Sequence, residues 1–161
     1  RQLDGSWLYA LVRSESAFIE DVKSPAGALG LMQVMPQTGR ETAKRMGLKR
    51  FQVSHLLQAD KNVPIGSAYL KAMLDRFNGN MVMATAAYNA GPHRVSSWLE
   101  RTAFTVPEAW VEAIPFNETR RYVQQVMAFV TVYEWRQEKT PGSMIARIGG
   151  EPEKVSLIQA H

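Results

Sequence analysis

The sequence predicts a mainly α-helical single domain. Strand-like alternation is scarce, apolar residues recur at helical spacing in several stretches, and Gly and Pro punctuate the intervals between them. At 161 residues with 45% hydrophobic content, the chain can bury one core without disulfides or a structural metal.

The elements follow in order. Ser6 is a candidate N-cap for a helix with Trp7, Leu8, Leu11 and Val12 on one face, running to about Phe18 or Ile19. Asp21 to Gly30, with Ser24-Pro25 and two glycines, reads as loop. Pro36 suits the first position of a short helix that ends near Gly47. Asp60 or Asn62, with Pro64, starts the next helix, which lines up Ile65, Tyr69, Met73 and Phe77 before Asn78-Gly79 stops it. From Asn80 to Asn89 the chain is apolar apart from Thr85, which places that helix at the centre. Gly91-Pro92 breaks it, and a short amphipathic piece reaches Trp98. A short helix beyond Pro107 ends at Pro115, and Asn117 can cap the longest helix, with Val123, Val126, Met127 and Val130 inward. Thr140-Pro141-Gly142 ends it, so the expected division is a catalytic domain over 1–140 and a C-terminal tail over 141–161 that packs on it or trails from it.

Composition excludes several classes. With no cysteine, thiol catalysis and thiolate metal sites are out. Histidines 55, 93 and 161 have no ligand spacing and the acids form no calcium loop, so no metal and no cofactor is expected. No apolar run approaches the roughly 20 residues of a membrane span, and no export signal lies within these residues. The net charge of +4 suits an acidic polymer. Lys and Arg are nevertheless scattered without a nucleic-acid-binding motif, so nucleic acid ranks last among partners.

Three places carry candidate chemistry. Glu15 follows Leu8, Leu11 and Val12 by seven, four and three residues, on the same stripe as the core. Burial there raises a carboxyl pKa, which is the tuning a general acid needs. The plainer alternative is a carboxylate at a helix's last turn that reaches water or pairs with Arg13 or Lys23. The stretch SPAGALGLMQ, Ser24 to Gln33, sets two glycines where a backbone can approach a ligand, or simply forms a surface turn. The stretch AAYNAGP, Ala86 to Pro92, puts a phenol and an amide at the edge of the core, or is an ordinary helix C-cap.

Taken in this order, Glu15-Ser16, Gly30-Leu31-Met32-Gln33 and Ala87-Tyr88-Asn89-Ala90-Gly91 resemble the three motifs of the soluble lytic transglycosylases. The resemblance also takes in SPAGALGLMQVMP, NVPIGSAYL and IPFNETRRYV and covers about residues 3 to 138. It implies a lysozyme-like helical fold, of the goose-type lysozyme kind, with a substrate cleft. It also implies cleavage of the bond between N-acetylmuramic acid and N-acetylglucosamine in peptidoglycan, giving a 1,6-anhydromuramoyl end. On this resemblance Glu15 is acid and then base. Most glycosidases use two carboxylates; the first two motifs here hold no second one, and the substrate's acetamido group is expected to stabilise the intermediate. Ser24, Gln33, Met35, Tyr88 and Asn89 match cleft positions. Glu118 matches a contact to the glycan or its peptide, with Arg120 and Tyr122 assisting, although an acid at 118 also suits a helix start. The sequence departs from the commoner pattern at His93, where Gly often stands, and at Gly39, where Ala is usual. The implied partners are glycan strands and muropeptides, the implied compartment is the periplasm, and an N-terminal α-superhelical region is expected to be missing from this chain. A lysozyme-type hydrolase with the same acid and a catalytically silent glycan-binding module are the competing readings.

Overall fold

The computed structural model of the protein describes residues 3–101 and 107–147. Among them are eight α-helices: α1 (Gly5–Ser16), α2 (Pro36–Arg45), α3 (Ala59–Arg76), α4 (Met81–Ala90), α5 (Pro92–Arg101), α6 (Pro107–Glu112), α7 (Asn117–Arg136) and α8 (Met144–Arg147). A 3-10 turn, Val53–Leu57, stands between α2 and α3, and the extended pairing consists of two isolated bridges, Lys23 with Leu29 and Leu29 with Val34. The mainly α expectation holds.

Helix α1 lies antiparallel to α7, and the pairing can be followed along its length. Lys139 meets Asp4 at 3.5 Å, Ser6 donates to Gln137 at 3.2 Å, and the rings of Tyr9 and Tyr133 are 5.9 Å apart. Further along, Arg13 lies over the Phe129 ring and Tyr122 reaches Glu15. Between these contacts Trp7, Leu11, Val123, Val126 and Val130 are fully buried. Side chains of this size each stabilise the fold by about 1.5–3 kcal/mol when buried.

Helix α4 crosses the middle of the molecule, packed against α3, α5 and α7. Val82, Ala84, Ala86 and Ala87 are almost without solvent exposure, and the small alanines let neighbouring helices approach closely. Thr85, the polar exception in this stretch, accepts a hydrogen bond from Trp7 Nε1 at 3.0 Å and donates to the Met81 carbonyl at 2.8 Å. A buried indole N–H requires such a partner.

Several helix ends differ from expectation. The cap of α1 is Asp4, whose carboxylate accepts from the backbone N–H groups of Ser6 and Trp7 at 2.8 and 3.2 Å. Ser6 is buried within the first turn, where its hydroxyl is spent on Gln137. The helix stops at Ser16 because Ala17 (φ 51°) and Phe18 (φ 66°) turn left-handed. Helix α3 begins at Ala59, before both Asp60 and Asn62, with Pro64 inside it. Proline removes one donor there, and the carbonyl it would have served belongs to exposed Asp60. Helix α5 continues beyond Trp98 to Arg101, and α6 stops at Glu112. At the start of α7 the capping position is Phe116, and Asn117 is already helical, accepting from Arg120 Nη2 at 2.5 Å. That helix closes at Arg136, before Thr140, where Glu138 adopts φ 59°.

Of the tail from 141 to 161, residues to Arg147 are described and the rest lie outside the described residues. The described part is fastened to α7. Arg147 pairs with Glu134 at 2.7 Å, both nearly buried, and donates to the Met127 carbonyl at 3.1 Å, while the Gly142 N–H also reaches Glu134.

Candidate active site

Glu15 sits on the last turn of α1, half-buried, where the left-handed turn at Ala17 ends the helix. Its carboxylate accepts a hydrogen bond of 2.5 Å from the Tyr122 hydroxyl of α7. Burial pushes its pKa from 4.5 up to about 7, and the Tyr122 bond opposes that rise in part. Neither Arg13 nor Lys23 forms an ion pair with it among the described residues; Arg13 is over the Phe129 ring, 5.6 Å from its centre. Of the plainer alternative for Glu15, the ion pair is not formed among the described residues, and its partner is a neutral hydroxyl.

Two phenols stand close enough to feel this carboxylate. Tyr122 and Tyr88 are both pushed well above the usual tyrosine value, first by burial and next by the negative charge of Glu15. Both therefore remain protonated donors. Tyr88, on the last turns of α4, gives its proton to the Met32 carbonyl at 2.7 Å and leans on Tyr69 with ring centres 5.3 Å apart. Its neighbour Asn89 accepts from Thr119 Oγ1 of α7 at 2.8 Å, which leaves the amide N–H groups of Asn89 without a partner among the described residues. Gly91, at φ 88°, caps this helix. The AAYNAGP stretch is thus a helix end and also a carrier of polar groups.

Residues 22–34 form a closed loop bound largely by its own polar groups. Ser24 Oγ accepts from the Ala28 N–H at 3.0 Å, and Gln33, itself left-handed at φ 45°, donates from Nε2 to the carbonyls of Val22 and Gly30 at 3.1 and 2.9 Å. Gln33 and Ser24 thus fasten the loop first; what remains is a hydroxyl proton on Ser24 and the Oε1 of Gln33. Gly30 is required at its place. A Cβ there would stand 2.0 Å from the Leu56 carbonyl, and the backbone has φ 74°.

The remaining sequence-predicted residues are not joined to this group by any contact of theirs. Met35 is exposed just before Pro36, and Glu118 is exposed in the first turn of α7. Arg120 binds Asn117, and its Nε is buried without a hydrogen-bond partner. Among the described residues no three His, Asp or Glu side chains gather as a metal site would require, and no helix is long and apolar enough to cross a membrane.

Asn62 was assigned only to a helix start, yet it is the centre of this region. Fully buried, it accepts from the Met32 N–H at 2.8 Å and donates to the carbonyls of Leu29 at 2.8 Å and Leu56 at 2.7 Å. Its sequence signal is a polar residue one turn before buried Ile65. Thr119, which holds Asn89, carries no comparable signal. Gly39, where the pattern departs from Ala, packs so tightly that a Cβ would come within 2.9 Å of Leu56.

Comparison with known proteins follows the same lines. The model of the family described as "Transglycosylase SLT domain" matches residues 1–111, and that described as "Soluble lytic transglycosylase helical domain" matches residues 113–141. The Tyr122–Glu15 bond joins these two matched stretches. The soluble lytic murein transglycosylase of Escherichia coli K12 is 40% identical over 148 residues, which is 91% of this chain and 23% of that protein. Its counterpart in Salmonella typhimurium is 42% identical over 135 residues, 83% of this chain and 21% of that one. Among solved structures, the 70 kDa soluble lytic transglycosylase of Escherichia coli superposes with TM-score 0.87 at 38% identity, covering 94% of this chain and 25% of that chain. An inactive mutant of lytic transglycosylase Slt from Pseudomonas aeruginosa gives TM-score 0.81 at 44% identity, covering 86% and 23%. The chain thus spans about a quarter of the length of these relatives.

Proposed function

The chain belongs to the transglycosylase SLT domain family, and from that premise we propose that it is a peptidoglycan lytic transglycosylase cleaving the β-1,4 bond between N-acetylmuramic acid and N-acetylglucosamine. The observation that carries this reading is Glu15, a half-buried carboxyl raised to about 7 whose only hydrogen-bond partner among the described residues is the hydroxyl of Tyr122. Such a group holds a proton at neutral pH and can release and regain it.

In the proposed reaction Glu15 gives its proton to the glycosidic oxygen as the bond to muramic C1 breaks. The substrate's acetamido oxygen supports the positive charge at C1. The C6 hydroxyl then attacks C1, and its proton passes to Glu15, which restores the starting acid. The product is a 1,6-anhydromuramoyl end and no water is consumed. Tyr122 orients the carboxyl through all of these steps, and its short bond supports the ionised form between them. Tyr88, Asn89, Met35 and the 22–34 loop with Ser24 and Gln33 are the proposed sugar contacts, and Glu118 and Arg120 the proposed contacts further along the glycan. The proposed substrates are glycan strands and muropeptides, and the proposed compartment is the periplasm, supported by relatives named for murein.

Mass spectrometry of the fragments released from purified peptidoglycan tests this reading, since anhydro ends are one water lighter than hydrolysed ends. Anhydro ends from the wild type, and a loss of release of at least about a thousandfold in Glu15→Gln with the helical signal intact, are expected. Reducing ends would make the enzyme a hydrolase, and an active Glu15→Gln would end the role of Glu15. The rate should also fall as pH rises through about 7, because the acid form of Glu15 is then lost.

A further inference from the structure

A basic groove with an apolar floor runs beside α3, and none of Glu15, Tyr88 and Tyr122 lines it. It consists of two hollows. One, of about 370 Å³, lies between the segment following α2 and the first half of α3, with Ile65 and Phe51 in its wall. The other, of about 410 Å³, lies against α2. Leu48, Lys49 and Phe51 line both hollows, so the two adjoin across a shared wall.

Its charge is one-sided. Arg40, Lys44, Lys49, Arg50 and Lys61 line it, against one acid, Asp60, which Lys61 already holds at 2.9 Å. Arg40, Lys44, Lys49 and Arg50 form no ion pair among the described residues. His55 also lines it, and its Nδ1 accepts from the Gln52 N–H at 3.2 Å. Met46 and Leu48, 40% and 45% exposed, are apolar surface among these cations.

We propose that this groove is a second binding site, which takes a short carboxylate-bearing peptide with small apolar side chains. Peptidoglycan stem peptides have that chemistry, so the identity of the occupant rests on the function proposed above. Unpaired cations spread across the two adjoining hollows match carboxylates repeated along an extended chain, and Met46, Leu48 and Phe51 give its apolar side chains a place to bury. A lipid surface is the poorer fit, because a flat bilayer would meet the exposed rim and leave the two hollows empty. Engagement here would hold peptide-bearing glycan near the enzyme without touching the reacting bond. The same helix α3 carries Asn62, which braces the 22–34 loop, so one helix serves both regions.

Titration calorimetry with the free stem tetrapeptide of peptidoglycan tests the site independently of cleavage. The peptide should bind wild type and Glu15→Gln alike, weaken with added salt, and bind about tenfold or more weakly to Lys49→Glu/Arg50→Glu. Both substituted residues are exposed and form no side-chain ion pair among the described residues, so the fold should tolerate the change. Lys44→Glu, in the second hollow, should weaken binding as well. The double variant should also cleave intact peptidoglycan more slowly than wild type while cleaving peptide-stripped glycan at the wild-type rate. Equal peptide affinity in wild type and double variant would overturn the proposal, as would binding of anionic phosphatidylglycerol vesicles in place of the peptide. If wild type cleaves no glycan yet binds the peptide at this groove, the functional reading fails and the site stands.

Discussion

The helix that carries Glu15 and the loop over residues 22–34, proposed to serve the same chemistry, are held in different ways. Helix α1 is fixed by apolar contact along its whole length with α7, through Trp7, Leu11, Val126 and Val130. The loop owes its shape to hydrogen bonds, from Ser24 and Gln33 within it and from Asn62 and Tyr88 outside it. A helix pair spreads its stability over many side chains, so any single loss is partial. The loop adds to its buried Leu29, Met32 and Val34 a few polar anchors, among which Asn62 leaves buried partners unsatisfied when removed.

Asn62→Ala is where that difference should be greatest. The substitution strips the partner from the Met32 N–H and from the Leu56 carbonyl at once, and takes one of two donors from the Leu29 carbonyl, which keeps the Val34 N–H at 3.0 Å. At roughly 1–3 kcal/mol for each stranded group, with some relief from water, a destabilisation of about 3–5 kcal/mol is expected. Urea unfolding measures it, and a change under 1 kcal/mol would show that the loop is not held as described.

This contrast also explains what could be read from the sequence. The α1 and α7 stripes and the central place of α4 follow from apolar periodicity, because those helices bury one face or all faces against neighbours. The place of Glu15 on a core stripe follows for the same reason. The loop's anchor did not, since Asn62 lies 30 residues from Met32 and no periodicity links them. Helix ends failed similarly. Ser6 has the right chemistry for a cap, but tertiary contact with Gln137 claims its hydroxyl and Asp4 takes the role. The 3-10 turn at Val53–Leu57, too short to show a period, went unmarked.

Tyr88→Phe removes a single loop contact and should cost less. The Met32 carbonyl loses its 2.7 Å donor while the ring retains its packing on Tyr69. A loss of about 1–2 kcal/mol in urea unfolding is expected, with KM for glycan rising more than kcat falls if the loop's role is to hold sugar. An unchanged KM would separate Tyr88 from binding.

The smallest effect on stability, and the most informative about the helix side, should come from Tyr122→Phe. The ring stays buried against α1, so packing changes little, but Glu15 loses the hydrogen bond that favours its ionised form. With that bond gone, burial acts unopposed and the Glu15 pKa should rise above about 7. The descending limb of the pH–rate profile should therefore move to higher pH, while the acid step, which must form the now less favoured carboxylate, slows and lowers the plateau. A limb that stays in place or moves toward acid would mean that Tyr122 contacts Glu15 without controlling its proton, and the helix pair would then position the acid by packing alone.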